Sequence, residues 1–229
     1  MNTIRMKAAI FDMDGVIVDT NPHHRLAWRQ YFERYGKPLS DEDFVQYVSG
    51  KHNDDIIRHL FPDRVLSPAE SKQLAAEKEA LFRALYLPEI KPVDGLPEFL
   101  QLLRKTGILT AVGTSAPAEN LDFVMDALQL RPYFDVLLDE SKVSRPKPDP
   151  EIYRKAMELL GVEPQQSIIF EDSTTGIRAA KAAGAYVVGL ATTESAAGLL
   201  SVGADEVIRD FTELTPSRFQ TLRSRSISA

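Results

Sequence analysis

From Pro92 to Leu190 the chain repeats one pattern, a short apolar run followed by an amphipathic helix. The periodicity predicts helices over 96–105, 117–128, 150–160 and 175–183. It predicts strands over 108–113, 134–138, 167–170 and 185–190, with weaker elements beyond. Gly107, Gly161 and Gly184 each stand where a helix must stop. Strands that alternate with helices specify a parallel sheet covered on both faces. One more apolar run, Lys7-Ala8-Ala9-Ile10-Phe11, supplies a buried strand at the start of the chain.

Between Thr20 and about Leu87 the rhythm changes, and helices follow one another. The first carries His24, Trp28, Tyr31, Phe32 and Tyr35 on one face. Ser40 with Asp43 caps a second, bearing Phe44, Val45 and Val48. A loop, Ser49-Gly50-Lys51-His52-Asn53, leads to a third with Ile56, Ile57 and Leu60. Ser67-Pro68-Ala69-Glu70 opens a fourth, with a stripe of Leu74, Leu81, Phe82 and Leu85 interrupted by Lys78. The reading is an α/β core of residues 1–19 and 91–229, broken after its first strand by an α-helical module of residues 20–90. A module hinged there sits over the carboxyl ends of the strands, where open α/β sheets bind ligands.

Bulk properties exclude several classes. The net charge of −6 gives a nucleic-acid partner no electrostatic footprint. The absence of cysteine removes disulfides, thiolate metal sites and cysteine nucleophiles, and it fits a reducing cytoplasm. Asp12 comes too early for a signal peptide, and no apolar run approaches the ~20 residues of a membrane span. Residues 218–229, rich in Arg and Ser, read as a loosely held tail.

The chemistry lies in the loops at the strand ends. After the first strand come Asp12 and Asp14, which an extended chain projects to the same side. Two like charges that close repel until a cation or a proton intervenes, and hard divalent cations take such oxygen ligands. After the second come Thr114 and Ser115 at a helix start, where hydroxyls and free N–H groups suit phosphate. After the third comes Lys147, in a loop stiffened by Pro146, Pro148 and Pro150. After the fourth come Glu171 and Asp172. Read singly, each has a plainer explanation: turn formation by Asp, helix capping by Thr or Ser, a solvated loop lysine, acids at a helix start. Parallel strands bring all of them to one edge of the sheet, and acids for a metal with a lysine and hydroxyls for phosphate form the kit for phosphoryl transfer.

With these residues in hand, the chain resembles the haloacid dehalogenase superfamily, in its β-phosphoglucomutase-like branch with a helical C1-type cap. Asp12-Met13-Asp14-Gly15-Val16 matches the first family motif, Thr114-Ser115 the second, Lys147-Pro148 the third and Glu171-Asp172 the fourth. The match runs to about residue 210. It implies a Rossmann-like core and an aspartyl-phosphate formed on Asp12. It implies Mg²⁺ held by Asp12, Asp172, the backbone carbonyl of Asp14, and Glu171 directly or through water. Lys147, Thr114 and the Ser115 N–H would hold the phosphoryl group, and Asp14 would act as general acid and then general base. Family dehalogenases lack the second Asp and family ATPases carry a hydroxyl residue there, so Asp14 points to a phosphatase or a phosphomutase.

The resemblance also sets two readings against each other. His24 and Lys78 fall where the sugar-phosphate mutase carries a histidine and a lysine. As structural residues they would be a half-buried histidine and a lysine snorkelling out along its stem. The mutase grips a second phosphate with an arginine three residues after a glycine. Here the glycine is Gly50 and the arginine position is Asn53, with Lys51, His52 and Arg58 as the nearby substitutes. A Mg²⁺-dependent phosphatase of a small phosphorylated metabolite is the first reading and a phosphomutase the second. A phospho-acceptor signalling domain, with similar strand-end acids but no cap, is the alternative of another class. A monomer is the default for a capped enzyme of this kind.

Overall fold

The computed structural model describes residues 6–48, 51 and 53–224. Strand β1 (Ala8–Phe11) is followed by helices α1 (Asn21–Arg34), α2 (Asp41–Tyr47), α3 (Asn53–Leu60) and α4 (Pro68–Tyr86). Alternation then begins with α5 (Leu96–Lys105), β2 (Leu109–Gly113), α6 (Ala118–Ala127), β3 (Val136–Leu138) and α7 (Glu151–Leu160). It continues with β4 (Ser167–Glu171), α8 (Thr174–Ala182), β5 (Tyr186–Leu190), α9 (Ala196–Ser201), β6 (Glu206–Ile208) and α10 (Pro216–Arg223). The chain divides into two compact units, residues 1–19 with 90–229 and residues 20–89.

The first unit is a six-stranded parallel sheet in the order β3-β2-β1-β4-β5-β6, a Rossmann-like arrangement. The order reverses at β1, which lies between β2 and β4, and such a switch point is where open α/β sheets place ligands. Period-two alternation sorts the side chains. Ala8, Ile10 and Ile169 turn to one face and pack with Ile152, Ala156 and Ile177 of α7 and α8. Phe11 and Phe170 turn to the other, stacked with ring centroids 4.9 Å apart. Phe99 of α5, Phe211 and Phe219 complete that aromatic layer.

Phe219 corrects the expectation of a loose tail for residues 218–224, while residues 225–229 lie outside the described residues. Thr215 caps α10, Pro216 sits in its first turn, and Phe219 and Leu222 are buried. The Met6 N–H donates to the Arg223 carbonyl, so the end of the helix is also tied to the start of the chain. An apolar pair three residues apart outweighs the polar composition around it.

In the second unit α1, α3 and α4 pack around Trp28, Tyr31, Phe32, Ile56, Ile57 and Leu60. Both expected capping boxes form, Ser40 with Asp43 and Ser67 with Glu70. Two residues assigned to apolar faces are exposed. Tyr35 stands just past the last turn of α1, and Val45 lies on α2, a short helix with no buried residue.

Candidate active site

Register builds the centre of the site. Ile10 pairs with Ile169 and Phe11 with Phe170, so one step on Asp12 and Glu171 emerge side by side on the α7–α8 face. Neighbouring carboxylates on adjacent strands repel. Lys147 lies between them, its ammonium 2.6 Å from Asp12 Oδ1 and 2.7 Å from Glu171 Oε1. Its third contact is the Tyr153 hydroxyl at 2.7 Å, and that hydroxyl donates to Glu171 Oε1, also at 2.7 Å. Tyr153, from α7, reaches this point beside Gly113 of β2, where a side-chain carbon would stand 3.4 Å from its ring. All four side chains are buried.

Glu171 is fully engaged. Its Oε2 accepts from the backbone N–H groups of Asp172 and Ser173 and from the Ser173 hydroxyl, at 3.0–3.1 Å. A side chain at Gly176 would collide with this carboxylate, so the glycine lets α8 bring its first turn up to Glu171. Both oxygens of Glu171 thus accept from protein donors. Asp172 sits beside Gly15, whose φ of +79° a side chain would strain and whose Cβ position lies 1.9 Å from Asp172 Oδ2.

The electrostatics divide the acids in the same way. Against the effect of its burial, Lys147, Tyr153 and the Ser173 N–H hold Glu171 below the usual carboxylate range. Burial pushes Asp12 up to about 7 despite Lys147, and the charges of Glu171 and Asp14 add to the rise. Burial, then Glu171 and Asp12, hold Asp172 well above the usual range. Three buried carboxylates therefore share one ammonium, and the two left short of positive charge are Asp12 and Asp172. Among the described residues no three acidic or histidine side chains form a ready cage. The donor set is still all oxygen and its charge deficit is local, which fits a hard divalent cation that keeps several waters.

The remaining expected residues of the first unit follow the strands. Thr114 is buried beyond β2, and its Oγ1 accepts from the Ala116 N–H at 3.0 Å, which fixes the turn ahead of α6. Ser115 is exposed beside it. Asp14 is half-buried in the tight turn where the Gly15 N–H donates to the Val18 carbonyl.

The family model for haloacid dehalogenase-like hydrolases matches residues 9–190. The chain belongs to that family. It is 36% identical over 210 residues to a validoxylamine A 7'-phosphate phosphatase of Streptomyces hygroscopicus subsp. limoneus, across 91% of this chain and 95% of the relative. It is 30% identical over 217 residues to a beta-phosphoglucomutase of Bacillus subtilis, across 92% of each. Its fold is similar to that of a HAD hydrolase of family IA, variant 3, from Entamoeba histolytica. The TM-score is 0.88 at 30% identity, covering 96% of this chain and 100% of that one. These matches set aside the signalling-domain alternative.

In this haloacid dehalogenase-like hydrolase the second unit has a polar cluster of its own. Lys78 is buried, so it does not snorkel outward as the structural alternative had it. Its ammonium lies 2.9 Å from His24 Nδ1, 2.8 Å from Glu79 Oε1 and 4.7 Å from the centre of the Trp28 ring. Asn53 Nδ2 donates to the same Glu79 oxygen at 2.9 Å. His24 stacks on Phe82 with centroids 3.8 Å apart. Lys51 is exposed and Arg58 pairs with Asp55, while Gly50 and His52 lie outside the described residues.

Sequence reasoning missed Tyr153 and Glu79. Tyr153 looks like an ordinary core aromatic of α7, and only its distance to Lys147 reveals the hydroxyl's work. Glu79 had a readable signal, because a lysine inside an apolar stripe needs an acid within reach and Glu79 is next in the chain.

An ammonium can only donate, so Nδ1 of His24 accepts and its proton sits on Nε2. Burial, reinforced by the Lys78 charge, lowers its pKa from 6.5 to about 3. A base depressed on folding stabilises the fold fully above its unfolded pKa, and this contribution drains away as pH falls from 6.5 towards 3. Ring ¹⁵N NMR should show His24 neutral and protonated on Nε2 from pH 7 down to about 4, and titration near 6.5 would contradict the cluster.

Proposed function

We propose that this chain is a Mg²⁺-dependent phosphatase of a small phosphorylated metabolite, a sugar phosphate or similar, acting through a phosphoryl group carried on Asp12. The observation that carries the reading is the Lys147 ammonium between Asp12 and Glu171 at the end of β1. By holding Oδ1, Lys147 fixes the plane of the Asp12 carboxylate and keeps a positive charge where phosphoryl oxygens gather. Thr114 and the Ser115 N–H, at the end of the neighbouring strand, bind the other phosphoryl oxygens. Asp12 attacks phosphorus as the ester bond breaks, and Asp14 gives its proton to the departing oxygen. Asp14 then takes a proton from the water that attacks phosphorus, which releases inorganic phosphate and restores the Asp12 carboxylate.

Asp12, Asp172 and the backbone of Asp14 would hold the cation, with Glu171 behind them. When bound, Mg²⁺ would supply the missing positive charge, keeping Asp12 ionised and screening it from the anionic substrate.

Hydrolysis is favoured over phosphomutation by the second unit. Asn53 stands in place of the mutase arginine and is committed to Glu79, and the charge of Lys78 is balanced by the same carboxylate. A second phosphate would call for an unbalanced cation. The Streptomyces phosphatase supports the same choice, while the Bacillus mutase keeps phosphomutation as the second reading.

Asp12→Asn should abolish turnover of p-nitrophenyl phosphate, and Asp14→Asn should slow it by about 10²–10⁴-fold. Near-normal turnover by Asp12→Asn would defeat the covalent scheme. Incubation with β-glucose 1-phosphate, Mg²⁺ and a trace of glucose 1,6-bisphosphate should release free phosphate, or leave the sugar intact while other esters are hydrolysed. Formation of glucose 6-phosphate without free phosphate would establish the mutase instead.

A further inference from the structure

The turn after β5 reaches into the site from a side that none of the family motifs occupies. Thr193 Oγ1 donates to Asp172 Oδ2. Thr192 Oγ1 donates to the Gly15 carbonyl at 2.5 Å. These two contacts bracket one small volume, since the Cβ position of Gly15 lies 1.9 Å from Asp172 Oδ2 and 2.9 Å from Thr193 Oγ1. The loops after β1, β4 and β5 therefore meet at Asp172. The pairing of β4 with β5, which brings Glu171 opposite Gly189, carries the β5 turn to that point.

Asp172 needs such a partner. It is buried beside Glu171 and near Asp12, and Lys147 makes its ion pairs with those two. A carboxylate that is to bind a cation through one face is held by hydrogen bonds on another, and such outer partners set both orientation and affinity. Thr193 is itself exposed, so it contributes little to the core, and its hydroxyl donates to Asp172.

We propose that Thr193 is a positioning residue for the cation site, orienting Asp172 from behind so that Mg²⁺ binds tightly. The proposal rests on the reading that Asp12 and Asp172 hold that cation. Thr193 would act on the cation site through Asp172.

Isothermal titration of the metal-free, full-length protein with MgCl₂ alone tests it, together with the Mg²⁺ dependence of p-nitrophenyl phosphate hydrolysis. Thr193→Val keeps the size and removes the donor, and it should raise the Mg²⁺ dissociation constant by about 10–100-fold. Thr193→Ser restores the hydroxyl and should bind within roughly threefold of wild type on the same scale. At saturating Mg²⁺ the Val variant should recover most of its kcat, because the defect lies in cation affinity. An unchanged dissociation constant in Thr193→Val, or equal weakening by Val and Ser, would overturn the role of Thr193 while leaving the cation site standing. A wild-type protein that neither binds Mg²⁺ nor depends on it would overturn the cation reading and this inference together.

Discussion

A single ammonium holds the catalytic end of the sheet together. The register of β1 against β4 forces Asp12 and Glu171 to leave the sheet as neighbours, and nothing in the backbone can separate them. Lys147 makes that arrangement tolerable by touching both, with Tyr153 closing the group. Removing one partner from a buried ion pair leaves an uncompensated charge, a loss of roughly 3–5 kcal/mol where it has been measured in other proteins. Much of the surrounding sequence answers this demand. Gly176 lets the first turn of α8 close up to the Glu171 carboxylate, and Gly15 lets Asp172 approach.

The same balance explains why the acids differ in environment although they share a pocket. Glu171 collects an ammonium, a phenol, two backbone N–H groups and a hydroxyl, and it stays ionised as a fixed counter-charge. Asp12 keeps one bond to Lys147 and is otherwise poor in donors, so its charge is held near the point of balance. A carboxylate in that condition gains more from an added positive charge than one as well satisfied as Glu171. Thr193 extends this logic to Asp172.

Much of this was legible before the structure. The alternation from Pro92 onward specified the parallel sheet, because period-two and period-3.6 patterns cannot be exchanged without turning apolar faces outward. Strand ends could be read as a set, since parallel strands share one edge, and so Asp12, Lys147 and Glu171 could be placed together. What escaped were residues whose type is ordinary and whose meaning is a distance. Tyr153 and Thr193 carry no pattern, and each matters through one hydroxyl. Glu79 stands next to Lys78 in an ordinary helical sequence, although a buried lysine implies its acid. The helix over 216–223 was obscured by its Arg and Ser content, though Thr215-Pro216 is a sound start signal.

The most direct test of Asp12 as phosphoryl acceptor is to trap the covalent species. Enzyme turning over a phosphate ester would be quenched in acid within milliseconds, reduced with borohydride, digested and mapped by mass spectrometry. A phosphorylated aspartate reduces to homoserine, so position 12 should carry that conversion only when substrate and Mg²⁺ are both present. Conversion at another carboxylate, or none during steady turnover under conditions that preserve acyl phosphates, would contradict it.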